Sequence, residues 1–270
     1  MFFATVLFSV IASQALTTSP VFLDERKPLA KKPAVAVEAG LEWLRLHQSE
    51  AGFWNADEFP QCDKLPEEPP SDGVGIPVAD VGATGIAVLA FLGDSRLSAN
   101  EAWMDSVQKG LAWLLKIQNK ETGLFGESSG NSTAYQHAIA TMAVAEGVRY
   151  GVLDSDRGRV ALDLATKLLI KERVKDSGWG YFSEKSSPDS SVTGWCVLAL
   201  LSARDAGVEV PARVFNGARW LIFSLTDPAS GATGYKLQGS VSARRPRLID
   251  RFPADLAPAT VAIGLFIQRI

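Results

Sequence analysis

Apolar residues recur at helical spacing through most of the chain, in two alternating styles. In one, the helix is amphipathic: Leu41, Leu44 and Leu46 with Trp43, and later Leu111, Leu114, Leu115 and Ile117 with Trp113. In the other, the polar face is missing, as in Ile86-Ala87-Val88-Leu89-Ala90-Phe91-Leu92 and Trp195-Cys196-Val197-Leu198-Ala199-Leu200-Leu201. A helix without a polar face is a buried one. The pattern therefore predicts an outer layer of amphipathic helices around an inner layer of apolar ones. Gly40, Gly110 and Gly217 fall inside the amphipathic segments, where each costs about 1 kcal/mol against Ala. That cost is tolerable where another element must approach the helix closely.

The alternation is an internal repeat of one helix, one structured turn and a second helix. First-helix positions align as Trp43-Leu44, Trp113-Leu114, Lys167-Leu168 and Trp220-Leu221. Turn aromatics fall at Trp54, Phe125, Trp179 and Tyr235, each flanked by glycine. Inner-helix starts follow at Ala83-Thr84-Gly85, Gln136-His137-Ala138, Thr193-Gly194-Trp195 and Ala259-Thr260-Val261. In this alignment Trp43, Trp54, Trp113, Trp179 and Trp220, five of the seven tryptophans, share repeat positions. The expected fold is all-α, an α/α toroid or an open arc of one, with about four helix pairs.

The first unit contains Gly40-x-x-Trp43-Leu44-x-x-x-Gln48-x-x-x-Gly52-x-Trp54. This resembles the QW motif of the squalene–hopene cyclase and prenyltransferase repeat superfamily. The second unit keeps Trp113-Leu114, Gln118 and Gly123, with one extra turn residue and Phe125 for Trp. The third and fourth units are degenerate: Glu172 stands near the Gln position in one, and Thr226 or a neighbour in the other. The runs from Tyr135 to Thr141 and from Asp189 to Trp195 resemble the exported, planctomycete-type squalene-cyclase-like repeat proteins. The resemblance covers residues 35 to 270. It implies an α/α toroid, ordinarily of six helix pairs, so four would leave an open ring that a partner chain could complete.

The same resemblance sets tests for activity. A cyclase would use Asp-x-Asp-Asp to protonate an alkene, and no such motif occurs in the sequence. Its cation-stabilising aromatic lining would reduce here to Phe91, Tyr135, Trp195 and Phe266. A prenyltransferase would hold zinc with Asp, Cys and His. The available Asp189, Cys196 and His137 lack the Asp-x-Cys spacing, so neither metal nor cofactor is expected.

Composition narrows the rest. A net charge of -3 offers no basic surface for nucleic acid. Residues 1–15 read as a signal peptide, and so imply export, with no membrane span in the mature chain. Residues 16–34 read as a linker and 35–270 as the repeat domain, interrupted by insertions at 55–79 and 236–254. The second insertion carries Arg244, Arg245, Arg247 and Arg251, either solvated or able to clamp an anion. Cys62 and Cys196 make no disulfide framework, and whether they are bridged is left open. Asp154 precedes a helix and reads as its cap.

Candidate chemistry gathers at the starts of the inner helices. Asp80, Asp189 and Asp255 precede them, either as caps or as carboxylates pointed into a central cavity. His137 is the one histidine on an inner helix. Thr84, Tyr135, His137, Thr193 and Trp195 are the expected ligand-binding residues. The function expected is an exported terpenoid-cyclase-like repeat protein that binds an apolar or isoprenoid molecule centrally. Two alternatives remain open: a scaffold for a protein or polysaccharide, and an active enzyme of the cyclase (isomerase) or prenyltransferase type.

Overall fold

The computed structural model describes residues 33–59, 75, 77–182, 186–238 and 259–270. The signal-like segment 1–15, Cys62, Asp255 and the four arginines of the second insertion lie outside the described residues. Eight α-helices are described, and no strands: α1 Pro33–Leu46, α2 Asp80–Leu92, α3 Glu101–Ile117, α4 Thr133–Arg149, α5 Ser155–Lys171, α6 Ser190–Asp205, α7 Ala212–Leu225 and α8 Ala259–Gln268. They form four hairpins in which α1, α3, α5 and α7 are the outer members. The inner helices pack side by side in the order α2, α4, α6, α8, and α8 also packs on α7. Helix α1 begins two residues inside the stretch read as linker.

The two helix styles explain this layering. Val88, Phe91, Ala140, Ala143, Val144, Val197 and Leu200 on the inner helices are sealed from solvent. On α3, Val107, Leu111 and Leu114 face the same core, while Asp105 and Lys109 pair on its outer face. Burying a Leu or Phe contributes about 2 kcal/mol relative to leaving it exposed, and the inner helices share that burial with Leu111, Leu114, Leu162, Leu169 and Ile222 of the outer ones.

The elbows carry the specificity. Gln48 donates from Nε2 to Gly52 O at 2.8 Å and to Ser106 O at 2.9 Å. Gln118 repeats this with Gly123 O at 3.1 Å and Ala161 O at 2.8 Å. One side-chain amide thus closes its own turn and grips the next outer helix. Gly52 and Gly123 have φ of +95° and +82°, and a Cβ on either would strike the backbone of Lys109 or Leu164. Only glycine satisfies both demands.

Hydrogen bonds correct the alignment of the later units. The Trp179 indole donates to Leu169 O as the Trp54 indole does to Leu44 O, both at 2.7 Å. The third-unit pair is therefore Leu168-Leu169, not Lys167-Leu168. Arg173, not Glu172, stands at the Gln position and donates to Ser177 O at 3.1 Å. In the fourth unit the Thr226–Thr233 bridge reproduces the Gln118–Phe125 bridge. Thr226 does hold the Gln position, but Thr233 replaces Tyr235 as the elbow residue, and the pair is Leu221-Ile222. Trp220 is out of register and 62% exposed, so four tryptophans share repeat positions rather than five. Gly264, not Thr260, lies against this elbow, since a Cβ there would overlap the Thr233 hydroxyl. Amphipathic spacing tolerates a one-residue slip, whereas the elbow's bonding pattern does not.

Two consequences follow for stability. Gln118→Leu leaves Gly123 O and Ala161 O without their shared donor and should cost about 2 kcal/mol in urea unfolding. Trp220→Ala should cost under about 1 kcal/mol and Leu221→Ala about 3 kcal/mol; the reverse order would restore the sequence-based alignment.

Candidate functional site

The expected site residues fall into three groups. Thr84, Thr193 and His137 are fully buried at the elbows. Thr84 Oγ1 accepts from Trp54 N at 3.0 Å, and Thr193 Oγ1 accepts from Trp179 N at 2.9 Å. In the second unit His137 Nδ1 takes that place, accepting from Phe125 N at 3.3 Å. Nδ1 must then be unprotonated, so Nε2 carries the proton and donates to Ala165 O at 3.2 Å. Full burial pushes the imidazole down to about 4. These three side chains hold elbows and do not line the concave face.

Asp80 is the first residue of α2 and caps nothing; its Oδ1 accepts from Ala56 N at 2.8 Å, tying down the chain beyond the first elbow. Burial raises its pKa, and the nearby Asp57 and Glu58 push the same way. Asp189 is the N-cap of α6, accepting from Val192 N at 2.8 Å. Cys196 is a free, buried thiol raised far above its ordinary pKa by desolvation.

Asp189 is also the root of a polar cluster that the sequence did not announce. Tyr235 OH donates to its Oδ2 at 3.1 Å. Tyr181 OH lies 2.8 Å from Tyr235 OH; with the Tyr235 proton committed to Asp189, Tyr181 is the donor. Tyr135 OH donates to Ser191 Oγ at 3.0 Å, and its ring centroid is 6.1 Å from that of Tyr181. Lys236 Nζ sits 5.4 Å and 5.6 Å from the Tyr181 and Tyr235 ring centroids, within cation–π range. Burial raises the Asp189 pKa and pushes Tyr135 up to about 12; Tyr235 is also raised, first by burial and then by its bond with Tyr181. No motif marks this cluster, because Tyr181 and Tyr235 are separated by a whole hairpin.

Tyr135 and Trp195 belong to the third group, the partly exposed stripe of the inner helices. On α2 the stripe is Ala83, Ile86 and Ala90; on α4, Tyr135 and Met142; on α6, Ser191, Trp195 and Leu198; on α8, Ala262 and Leu265. Ile86 is 51% and Leu265 47% exposed, high values for inner helices. Apart from Asp80 at the start of α2, charge on the inner helices lies at their C-terminal ends, at Glu146 with Arg149, Arg204 with Asp205, and Arg269. Met142 also walls a cavity of about 270 Å³ at the C-terminal ends of α2 and α4, shared with Leu89, Leu92 and Met104.

The zinc ligands that a prenyltransferase resemblance implies do not fit. Both His137 nitrogens are bonded to elbow and α5 backbone, and both Asp189 oxygens are engaged. Among the described residues no three His, Cys, Asp or Glu side chains converge, and no helix is long and apolar enough to cross a membrane.

The family model of the squalene-hopene cyclase C-terminal domain matches residues 22–230. No relative matches among curated proteins.

The buried imidazole gives a pH test. Its pKa is near 6.5 when unfolded and about 4 when folded, so the unfolded chain binds the extra proton between those values. Stability contributed by neutral His137 is whole above about pH 6.5 and declines towards pH 4, by about 3 kcal/mol in all. Urea unfolding of the wild type and His137→Gln at pH 7.0, 5.5 and 4.5 should show this slope only in the wild type.

Proposed function

The chain belongs to the squalene-hopene cyclase C-terminal domain family, and from that premise we propose that it binds an apolar, isoprenoid-type molecule along the concave face of its inner helices. The observation that carries this reading is the exposed apolar stripe running through Ile86, Trp195, Leu198 and Leu265. Exposed Ile86 and Leu265 and half-buried Trp195 and Leu198, on inner helices that are otherwise sealed, call for a partner. The polar cluster at one end of the stripe, with Tyr135 OH and Ser191 Oγ, supplies hydrogen-bonding groups for a hydroxyl or similar head.

Binding has more support than turnover. Asp189 has the raised pKa that an acid would need, yet its oxygens accept from Val192 N and Tyr235 OH. A carboxyl so engaged holds structure rather than presenting a proton to an alkene, and the sequence contains no Asp-x-Asp-Asp. Export remains part of the proposal through the signal-like segment 1–15.

Farnesol titration tests the reading, with Trp195 as the reporter on the face. Saturable quenching is expected in the wild type. Ile86→Glu should weaken it at least about tenfold while moving Tm by no more than about 2 °C, because half of this side chain is already in water. Binding that ignores the substitution would remove the concave face as the site.

A further inference from the structure

The corrected register exposes a difference between successive hairpin interfaces. In each unit, the residue just before the elbow position that aligns with Trp54 faces the residue of the next outer helix that aligns with Trp113. At the first interface these are Phe53 and Trp113, stacked with centroids 4.8 Å apart and planes 17° from parallel. At the third they are Gly178 and Leu221, packed so closely that a Cβ on Gly178 would stand 2.6 Å from Leu221 Cδ2. Both interfaces are filled, one by two rings and the other by close approach of backbone and leucine.

The second interface is filled by neither device. Its residues are Leu124 and Leu168, and a cavity of about 490 Å³ opens there between the elbow and α5. Leu164 and Phe182 complete an apolar floor, and the charged residues Glu121, Lys167, Lys171 and Glu172 also line it. That volume is in the range of small-molecule sites. Two leucines stand where the first interface holds a benzene ring on an indole, so the space suits a flat ring.

Charge narrows the ligand further. Lys167 is paired with Asp163, whereas Lys171, Glu121 and Glu172 make no ion pair among the described residues. A wall bearing both signs suits a ligand that carries both charges. We propose that this cavity is a binding site for a small aromatic zwitterion of the aromatic α-amino acid class. Its ring replaces the absent Phe–Trp stack, its carboxylate meets Lys171, and its ammonium meets a glutamate. The site lies at the elbow end of the second and third hairpins, between the second elbow, α5 and Phe182.

Calorimetric titration of the full chain with L-tryptophan tests this, with free indole and indole-3-acetate as companions. The expected result is one saturable site with a Kd no weaker than about 1 mM, and tighter for tryptophan than for either companion. Leu124→Phe with Leu168→Trp rebuilds the first interface's stack inside the cavity and should weaken tryptophan at least about tenfold. Lys171→Met, an exposed change that leaves the fold intact, should weaken tryptophan about fivefold and leave indole unchanged. Absence of saturable binding, unchanged affinity in both variants, or equal affinity for tryptophan and indole would each overturn the proposal.

Discussion

A buried turn has backbone groups that nothing in a helix ladder can satisfy, and the fold depends on how its elbows meet that constraint. The first two elbows use a glutamine amide whose two donated bonds span the turn and the next outer helix. The third uses a guanidinium and the fourth a threonine hydroxyl, Thr226 bonding to Thr233 at 2.9 Å. The amide of the elbow aromatic is met from the inner helix by Thr84, His137 or Thr193 in turn. Across the first three units side-chain chemistry changes while the turn carbonyl and elbow amide being answered do not. The first two elbows are completed by the following hairpin, through Ser106 O and Ala161 O, so those units cannot satisfy their polar groups alone, as in repeat arrays generally.

This constraint also places the surfaces with functional interest. Elbows fixed against the next outer helix fix the starts of the inner helices in a row. Partly exposed residues of α2, α4, α6 and α8 then share one side. Tyr135, Tyr181, Tyr235 and Lys236 meet over Asp189 because the second, third and fourth units each contribute a segment to the same end of that row. The Asp189 carboxylate thus links a helix cap to a tyrosine chain, and the cap itself fixes where that chain begins.

The hairpin order, the division into inner and outer helices and the first two elbows were legible in the sequence. They rest on Trp54, the two glutamines and unbroken apolar runs, which are large and periodic signals. The later register was not legible. Trp220 sits one residue from the repeat position and attracts the alignment, although it is mostly in water. Tyr235 likewise looks like an elbow aromatic, when the bridge to Thr226 places Thr233 there. Asp189 and His137 could be picked out, but their partners are contacts between distant segments that no local spacing encodes. Thr84 and Thr193 could be picked out by place, but their bonds to the elbow amides could not, because a hydroxyl near a helix start reads equally well as a ligand contact or an elbow clamp.

Drift in the repeat does not fall evenly, and its distribution carries meaning. In the first unit the interface is closed by the stacked Phe53 and Trp113. Where the elbow aromatic is lost in the fourth unit, a tyrosine two residues later joins the polar cluster instead. Where the stacked pair becomes two leucines, a cavity replaces it. A repeat protein maintains its fold through the positions that answer backbone groups, and in the first three hairpins a side chain meets both the turn carbonyl and the elbow amide. The positions that only fill space are free to change, since losing a few buried atoms costs less than orphaning a buried carbonyl and amide together. Departures from the pattern therefore gather at space-filling positions, and in this chain those are the places where the surface gains a pocket or a polar group that its sister units lack.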